Sequence, residues 1–365
     1  MKSRNRLDKV KLFCCVAAVL TLLIWLRSLY MADGIKQLYR TVSIRIHGTG
    51  VDAGSLDRAV ANEMEKKQEA PEVTAWNPGG SKTVTNRNLM RKTKIPVIYV
   101  RGDMQSAAPV TLAAGSYAYA EDEEGCVIDT ESAWLLFGTS DAAGNPVMIE
   151  EERYLVRGVV RSDQPVIMIQ DTKDTARFTN LELKYQDTEW GQKYGEEFIY
   201  QNGLADQYTI VDGSFWGKLV NWMVRLPLWI AVFIIMSSWG IKKCFDTGNR
   251  LGKSRGLEPY TGYLLAAGFC ILLTGFLIRF WGSPFYIPAR WIPDQWSDFE
   301  YWSGLYKTIG EEWRTIRYLA PNLKDVVLVD SMRQCFWETV LVSIYMITAS
   351  IFYRAGRSSK RETCV

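Results

Sequence analysis

His47 is the only histidine in the 365 residues, so a histidine-based nucleophilic triad and a multi-histidine metal site are both excluded. It stands on the polar side of a predicted strand, where a solvated side chain is expected. The run Glu121-Asp-Glu-Glu124 has the charge to attract a divalent cation, but consecutive carboxylates just before a strand read more simply as a solvated turn. Gly248-Asn-Arg-Leu-Gly-Lys-Ser254 resembles a phosphate-binding loop, yet one residue is missing between its glycines and no strand and helix can flank it. The expectation is a chain with no catalytic residue, no cofactor and no metal site, and so not an enzyme.

Four charges stand where charge is costly. Arg27, Arg225, Arg279 and Glu338 each fall toward one end of a long apolar run, where an unpaired charge is unfavourable unless its side chain snorkels to the headgroups. Arg225 and Glu338 lie more than a turn inside their runs, which predicts an intramembrane Arg225–Glu338 ion pair, with snorkelling as the alternative. Pro227, two residues after Arg225, predicts a kink that serves gating or packing.

The elements that must hold these residues follow from hydropathy. A bilayer core needs about 20 apolar residues per helix, and four runs meet this: 12–30, 219–241, 261–281 and 334–353. Lys and Arg gather in 1–11, in the loop 242–258 and in the tail 354–365, which places these segments and both termini on the cytoplasmic side. Residues 31–214 and 282–333 then face outward. The first run has no small-x-small cleavage site after it and reads as an uncleaved anchor. A net charge of +3 is too mild to suggest nucleic acid. The seven cysteines lack metal-ligand spacing, and only Cys126 lies in the large polar region, so a disulfide framework is not expected and a Cys126–Cys335 bridge stays open.

In the outer region, Thr41-Val-Ser-Ile-Arg-Ile-His47 alternates like a half-buried strand, and Ser55 is positioned to cap a helix presenting Leu56, Val60 and Met64. With a strand at 73–76 these make a βαβ unit, after which Asn77-Pro-Gly-Gly80 should break the chain. Strands at 166–169, 181–185 and 207–211, with a helix at 189–200, complete the region. The expected fold is an α+β extracytoplasmic domain, a split α/β part with a β subdomain inserted near 80–165, plus four transmembrane α-helices.

Within the insertion lies Gly125-Cys-Val-Ile-Asp-Thr-Glu-Ser-Ala-Trp-Leu-Leu-Phe-Gly138, then Asp141, Gly144, Val147-Met-Ile149 and Tyr154-Leu-Val-Arg-Gly-Val-Val160. The positions Val127, Ile128, Ala133, Leu136, Phe137, Gly138, Asp141, Gly144, Val147, Ile149, Tyr154, Val156, Gly158 and Val159 follow a pattern of strand, short helix ending in Leu-Phe-Gly, glycine turn and hairpin. This resembles the extracytoplasmic core domain of MacB-type ABC permeases, in which one span precedes the outer domain and three follow it. The resemblance implies a multi-pass protein of a bacterial cell membrane, a cytoplasmic ABC ATPase as partner and a second membrane subunit. The membrane half departs from that pattern: the coupling element usual after the second span is absent, and Lys242-Lys-Cys-Phe-Asp-Thr-Gly-Asn-Arg-Leu-Gly-Lys-Ser-Arg-Gly256 stands there instead. Arg250, Lys253 and Arg255 of this loop are the candidate contact for a cytoplasmic partner. A membrane-anchored interaction, assembly or sensing module without transport is the second reading.

Two further features concern packing. Ser297 and Glu300 have capping-box spacing, and Phe299, Trp302, Tyr306, Ile309, Trp313 and Ile316 recur at helical intervals. This predicts an amphipathic helix on the outer lipid surface, with Trp302 and Trp313 meeting lipid, or else packed beneath the outer domain. Thr261, Gly268 and Gly275, and Ser343 and Ser350, predict small-residue faces that bring spans together within the chain, with a dimer seam as the alternative.

Overall fold

The computed structural model describes residues 2–66, 70–186, 189–252, 258–281, 288, 291–292, 295, 297–319 and 322–362. In chain order the elements are α1 (Lys2–Leu38), β1 (Val42–Ile46), β2 (Val51–Asp52), α2 (Ala53–Glu65), β3 (Glu72–Asn86), β4 (Arg91–Arg101), α3 (Met104–Ala107), β5 (Thr111–Gly115), β6 (Gly125–Asp129), α4 (Thr130–Phe137), β7 (Pro146–Ile149), β8 (Glu152–Arg161), β9 (Ile167–Gln170), β10 (Arg177–Phe178), β11 (Asn180–Lys184), α5 (Gly191–Asn202), β12 (Tyr208–Asp212), α6 (Gly213–Gly252), α7 (Glu258–Trp281), α8 (Phe299–Tyr318) and α9 (Leu323–Glu362). Two compact units result: Gly34–Gly217 with Pro288–Ser331, and Met1–Asp33 with Lys218–Ile287 and Met332–Val365.

The first unit is the expected α+β domain, built on a mixed sheet. Among the described residues ten strands join in the order β12-β1-β11-β3-β4-β9-β6-β8-β5, with β7 bonded to both β3 and β8. The expected βαβ unit is present in split form: β1 and β3 each run antiparallel to β11, which lies between them. Val42, Ile44 and Leu181 close one face over Leu56 of α2 and Phe198 of α5. Asp52, not Ser55, caps α2; its carboxylate accepts from the Ser55 N–H at 2.9 Å, and Met64 stays exposed.

The insertion is not a separate subdomain after a chain break. β3 runs unbroken through Asn77–Gly80, absorbing the irregularity as a register shift between Pro78 and Ser81. Gly80 adopts φ +70° there, a bulge conformation that glycine accepts without steric cost. Because β7 links β3 to β8, the strands β3, β4, β9, β6, β8 and β7 close into a ring, around a core that includes Ile95, Cys126, Ile128, Val147, Val156 and Ile167. All six strands of the ring belong to the ten-stranded sheet. Helix α4 supplies Ala133 and Leu136 to this core and ends at Gly138 with φ +74°, as the Leu-Phe-Gly signature requires.

The second unit is helical. Among the described residues three helical segments are long and apolar enough to cross a membrane: Val16–Leu38, Gly213–Thr247 and Gly262–Arg279. The expected fourth, 334–353, falls within the continuous helix α9 and is not one of these. The side chains from 350 onward lie outside the described residues, so the run 334–353 is described only in part. Pro227 lies inside α6, which continues to Gly252. Trp229 packs with Leu273 and Leu277, flanked by Phe233 and Phe269, and a side chain at Gly240 would collide with the Phe269 ring. The predicted close approach at Gly268 and Gly275 is not made, since nothing among the described residues lies within 4 Å of a Cβ at either. Cys126 and Cys335 are both free thiols, so the disulfide left open by the sequence does not form.

Candidate functional site

Strand β1 is buried on both faces, contrary to the half-buried strand expected. Its apolar face serves the core, while Thr41, Ser43 and Arg45 point the other way into a dry cluster of charge. Glu182 of β11 stands opposite Ser43 in the ladder and is fully buried. One of its oxygens accepts from Lys324 Nζ at 2.6 Å, Thr41 Oγ1 at 2.7 Å and Ser43 Oγ at 2.6 Å. The other accepts from Arg45 Nη1 at 2.9 Å and Trp76 Nε1 at 3.1 Å.

Arg45 reaches onward to Asp325 in a bidentate pair, Nε at 2.9 Å and Nη2 at 2.8 Å, and lies 5.1 Å above the Trp76 ring. The three donors of Lys324 all find acceptors: Glu182, Thr41 Oγ1 at 2.9 Å and the Ser106 carbonyl at 2.7 Å. Tyr39 donates its hydroxyl to the Lys324 carbonyl at 2.7 Å. Two cations and two carboxylates thus neutralise one another away from water, with the hydrogen bonding such burial demands. Asn322 completes the arrangement by capping α9, its Oδ1 accepting from the Asp325 N–H at 2.9 Å.

The electrostatics agree with an ionised cluster. Burial alone would raise the Glu182 carboxyl, but the attraction of Lys324 and then Arg45 outweighs it and holds the group at about 2. Burial also lowers the Lys324 ammonium from its usual value, against the pull of Glu182. Three short bonds to three acceptors identify Lys324 as the charged ammonium, since a neutral amine could not donate all three. Burial would lower Arg45 too, yet Asp325 and Glu182 hold it above its ordinary range. The cluster is a fastener between β1, β11 and the first turn of α9, with no bound group needed to complete it.

In the second unit two ion pairs have partners that differ from the prediction. Arg225 bonds Asp33 at 3.1 Å, with Asn221 Nδ2 sharing that oxygen at 2.5 Å. Glu338 bonds Arg27 at 3.1 Å and accepts from Ser28 Oγ and from Gln334 Nε2 at 3.0 Å. The predicted Arg225–Glu338 pair is therefore replaced by two pairs, each anchored on α1. Helical depth was readable from sequence, whereas the direction each side chain faces was not. Glu338 has an 11% exposed side chain against 49% for Asp33, so the two pairs should differ in worth. Glu338→Ala is expected to cost about 1–3 kcal/mol and Asp33→Ala less than about 1 kcal/mol, read as melting of the detergent-solubilised protein.

In α8, Trp313 packs 5.8 Å from the Trp216 ring and Ile316 is buried, while Trp302 is 38% exposed. Asp298, not Ser297, caps this helix. His47 Nε2 meets Thr209 Oγ1 at 2.9 Å on the surface. In the acidic run, Asp122 is buried in a bidentate pair with Arg157 at 2.7 and 3.0 Å, and no metal-ligating group forms among the described residues. The side chains of Arg250, Lys253 and Arg255 lie outside the described residues.

The buried cluster itself was missed. Its visible signals were Glu182 inside a strand otherwise Leu-rich and the Asn322…Asp325 cap spacing, residues that only the tertiary fold brings together.

No curated protein matches the chain. It is similar to the extracellular domain of the noncanonic ABC-type transporter YknZ from Gram-positive bacteria, at 12% identity and TM-score 0.38 over 47% of this chain and 99% of that one. It is also similar to the periplasmic region of MacB from Actinobacillus actinomycetemcomitans, at 14% identity and TM-score 0.40 over 50% of this chain and 92% of that one. The family pattern of the MacB-like periplasmic core domain matches residues 12–204, over half of the sequence, and the chain belongs to that family.

Proposed function

We propose that this chain is the permease-like membrane subunit of an ABC-type transport or mechanotransmission assembly. In this reading four spans place both termini inside, a separate cytoplasmic ATPase supplies hydrolysis, and a second membrane subunit completes the assembly. The chain itself carries no catalysis. The observation that carries the reading is the clasp of Lys324 and Asp325 onto Glu182 and Arg45. It fastens the first turn of α9, the helix that contains the proposed fourth span, to the neighbouring strands β1 and β11 near one edge of the outer sheet. Close-packed interiors transmit strain because they compress little, so a displacement of α9 would move β1 and β11 with it.

The test is purification of the tagged full chain from its native membrane in mild detergent, with mass spectrometry and an ATP hydrolysis assay. A stoichiometric ABC ATPase, lost when Arg250, Lys253 and Arg255 are changed to Glu, is expected. Recovery of envelope proteins alone, without hydrolysis, would instead support an anchored interaction, assembly or sensing module. That second reading is favoured by one observation, the absence of the usual coupling element from 242–258.

A further inference from the structure

The β3–β4 hairpin contains no Asp or Glu from 73 to 102, but carries Lys82, Arg87, Arg91, Lys92, Lys94 and Arg101. Lys82 is neutralised by Glu150 at 3.0 Å and Arg101 by Asp57 at 2.8 Å. The other four cations surround the tip, all exposed, and none belongs to an ion pair among the described residues. At the turn stand two bulky apolar residues, Leu89 at 49% and Met90 at 88% exposure. Met90 adopts φ +53°, a left-handed conformation unfavourable for a side chain of its size.

The tip is a built feature. Asn86 Oδ1 accepts from the backbone N–H of Asn88 at 3.0 Å and of Leu89 at 3.3 Å, and its Nδ2 donates to the Leu136 carbonyl at 3.2 Å. The turn is thereby tied to α4, whose Trp134 and Leu135 are themselves 61% and 52% exposed. Two exposed aliphatics at the end of a protrusion, ringed by unpaired positive charge, call for an occupant with an apolar layer beneath an anionic surface.

An acidic protein groove and an anionic bilayer both have that character. Protein interfaces are depleted in lysine, whereas anionic headgroups attract Lys and Arg alike and admit short apolar segments at the acyl boundary. Half of the tip cations are lysines, and a nearby exposed Trp suits the headgroup level. We propose that the β3–β4 tip is a contact site for anionic lipid, with Leu89 and Met90 entering the headgroup boundary and Arg87, Arg91, Lys92 and Lys94 meeting lipid phosphates.

The full chain held in phosphatidylcholine nanodiscs can be passed over captured vesicles, made of phosphatidylcholine with or without phosphatidylglycerol. Binding is expected only to the phosphatidylglycerol vesicles and should weaken with salt. It should fall on the order of a hundredfold in the Arg87→Gln/Lys92→Gln/Lys94→Gln variant. Leu89→Ser/Met90→Ser should also lose binding, with the melting temperature of both variants unchanged. Equal binding to neutral vesicles, or undiminished binding by the charge variant, would overturn the proposal. So would a photocrosslinker at position 90 that captures a protein and no lipid in cells.

Discussion

Glu182→Leu is expected to destabilise the outer domain by about 3–5 kcal/mol, because removing one partner of a buried ion cluster leaves the others uncompensated. Lys324 would keep only Thr41 Oγ1 and the Ser106 carbonyl, two neutral acceptors for a buried ammonium. Arg45 would keep Asp325, and Trp76 Nε1 would lose its acceptor. For a domain of this size, melting should drop by roughly 6–20 °C. The companion variant decides whether charge or packing is responsible. Replacing Arg45, Glu182, Lys324 and Asp325 together by apolar residues of similar volume should recover most of the loss, since buried charge clusters are often no more stable than well-packed apolar replacements. A quadruple variant as unstable as Glu182→Leu would mean that packing at this position, not charge balance, sets the stability.

The second large effect is on acid stability. The Glu182 carboxyl is held at about 2, below its usual 4.5. A depressed carboxyl contributes stability that is fully present above its unfolded value and disappears as pH falls toward its folded value. The expected loss from this group is about 3 kcal/mol between pH of about 4.5 and 2. Denaturant unfolding followed at a series of pH values should show this acid limb in the wild type. In the quadruple apolar variant the limb should be shallower by that amount, and an unchanged limb would place the acid sensitivity elsewhere.

Much of the outer domain was legible because its strands and helices obey local rules. The alternation of Val42, Ile44 and Ile46, the Leu-Phe-Gly helix end and the Val147–Val159 hairpin each depend on neighbours in sequence, and each is found in place. The break expected at Asn77–Gly80 failed for the opposite reason. Proline and glycine there form a bulge whose partner strand, β4, arrives later in the chain and keeps β3 continuous. The ring of strands likewise depends on β7 reaching both β3 and β8, a non-local pairing without a pattern of its own.

The site was less legible for a related reason. Polar residues on β1 looked like a solvent face because nothing local shows that Lys324, some 280 residues later, covers them. The ion pairs of the helical unit show the same limit. Sequence placed Arg225 and Glu338 at depth in their helices, but Asp33 and Arg27 on α1 are their partners. Depth follows from hydropathy, whereas facing direction follows from packing.

On the proposed function, Lys324 and Asp325 make the start of α9 and the strands β1 and β11 a single mechanical piece. Amide hydrogen exchange of the full chain in detergent, wild type against Lys324→Met, tests this most directly. If the claim holds, amides of 323–331 and of β1 and β11 exchange faster together in the variant, on the order of a hundredfold. Faster exchange confined to 323–331, with β1 and β11 unchanged, would contradict it.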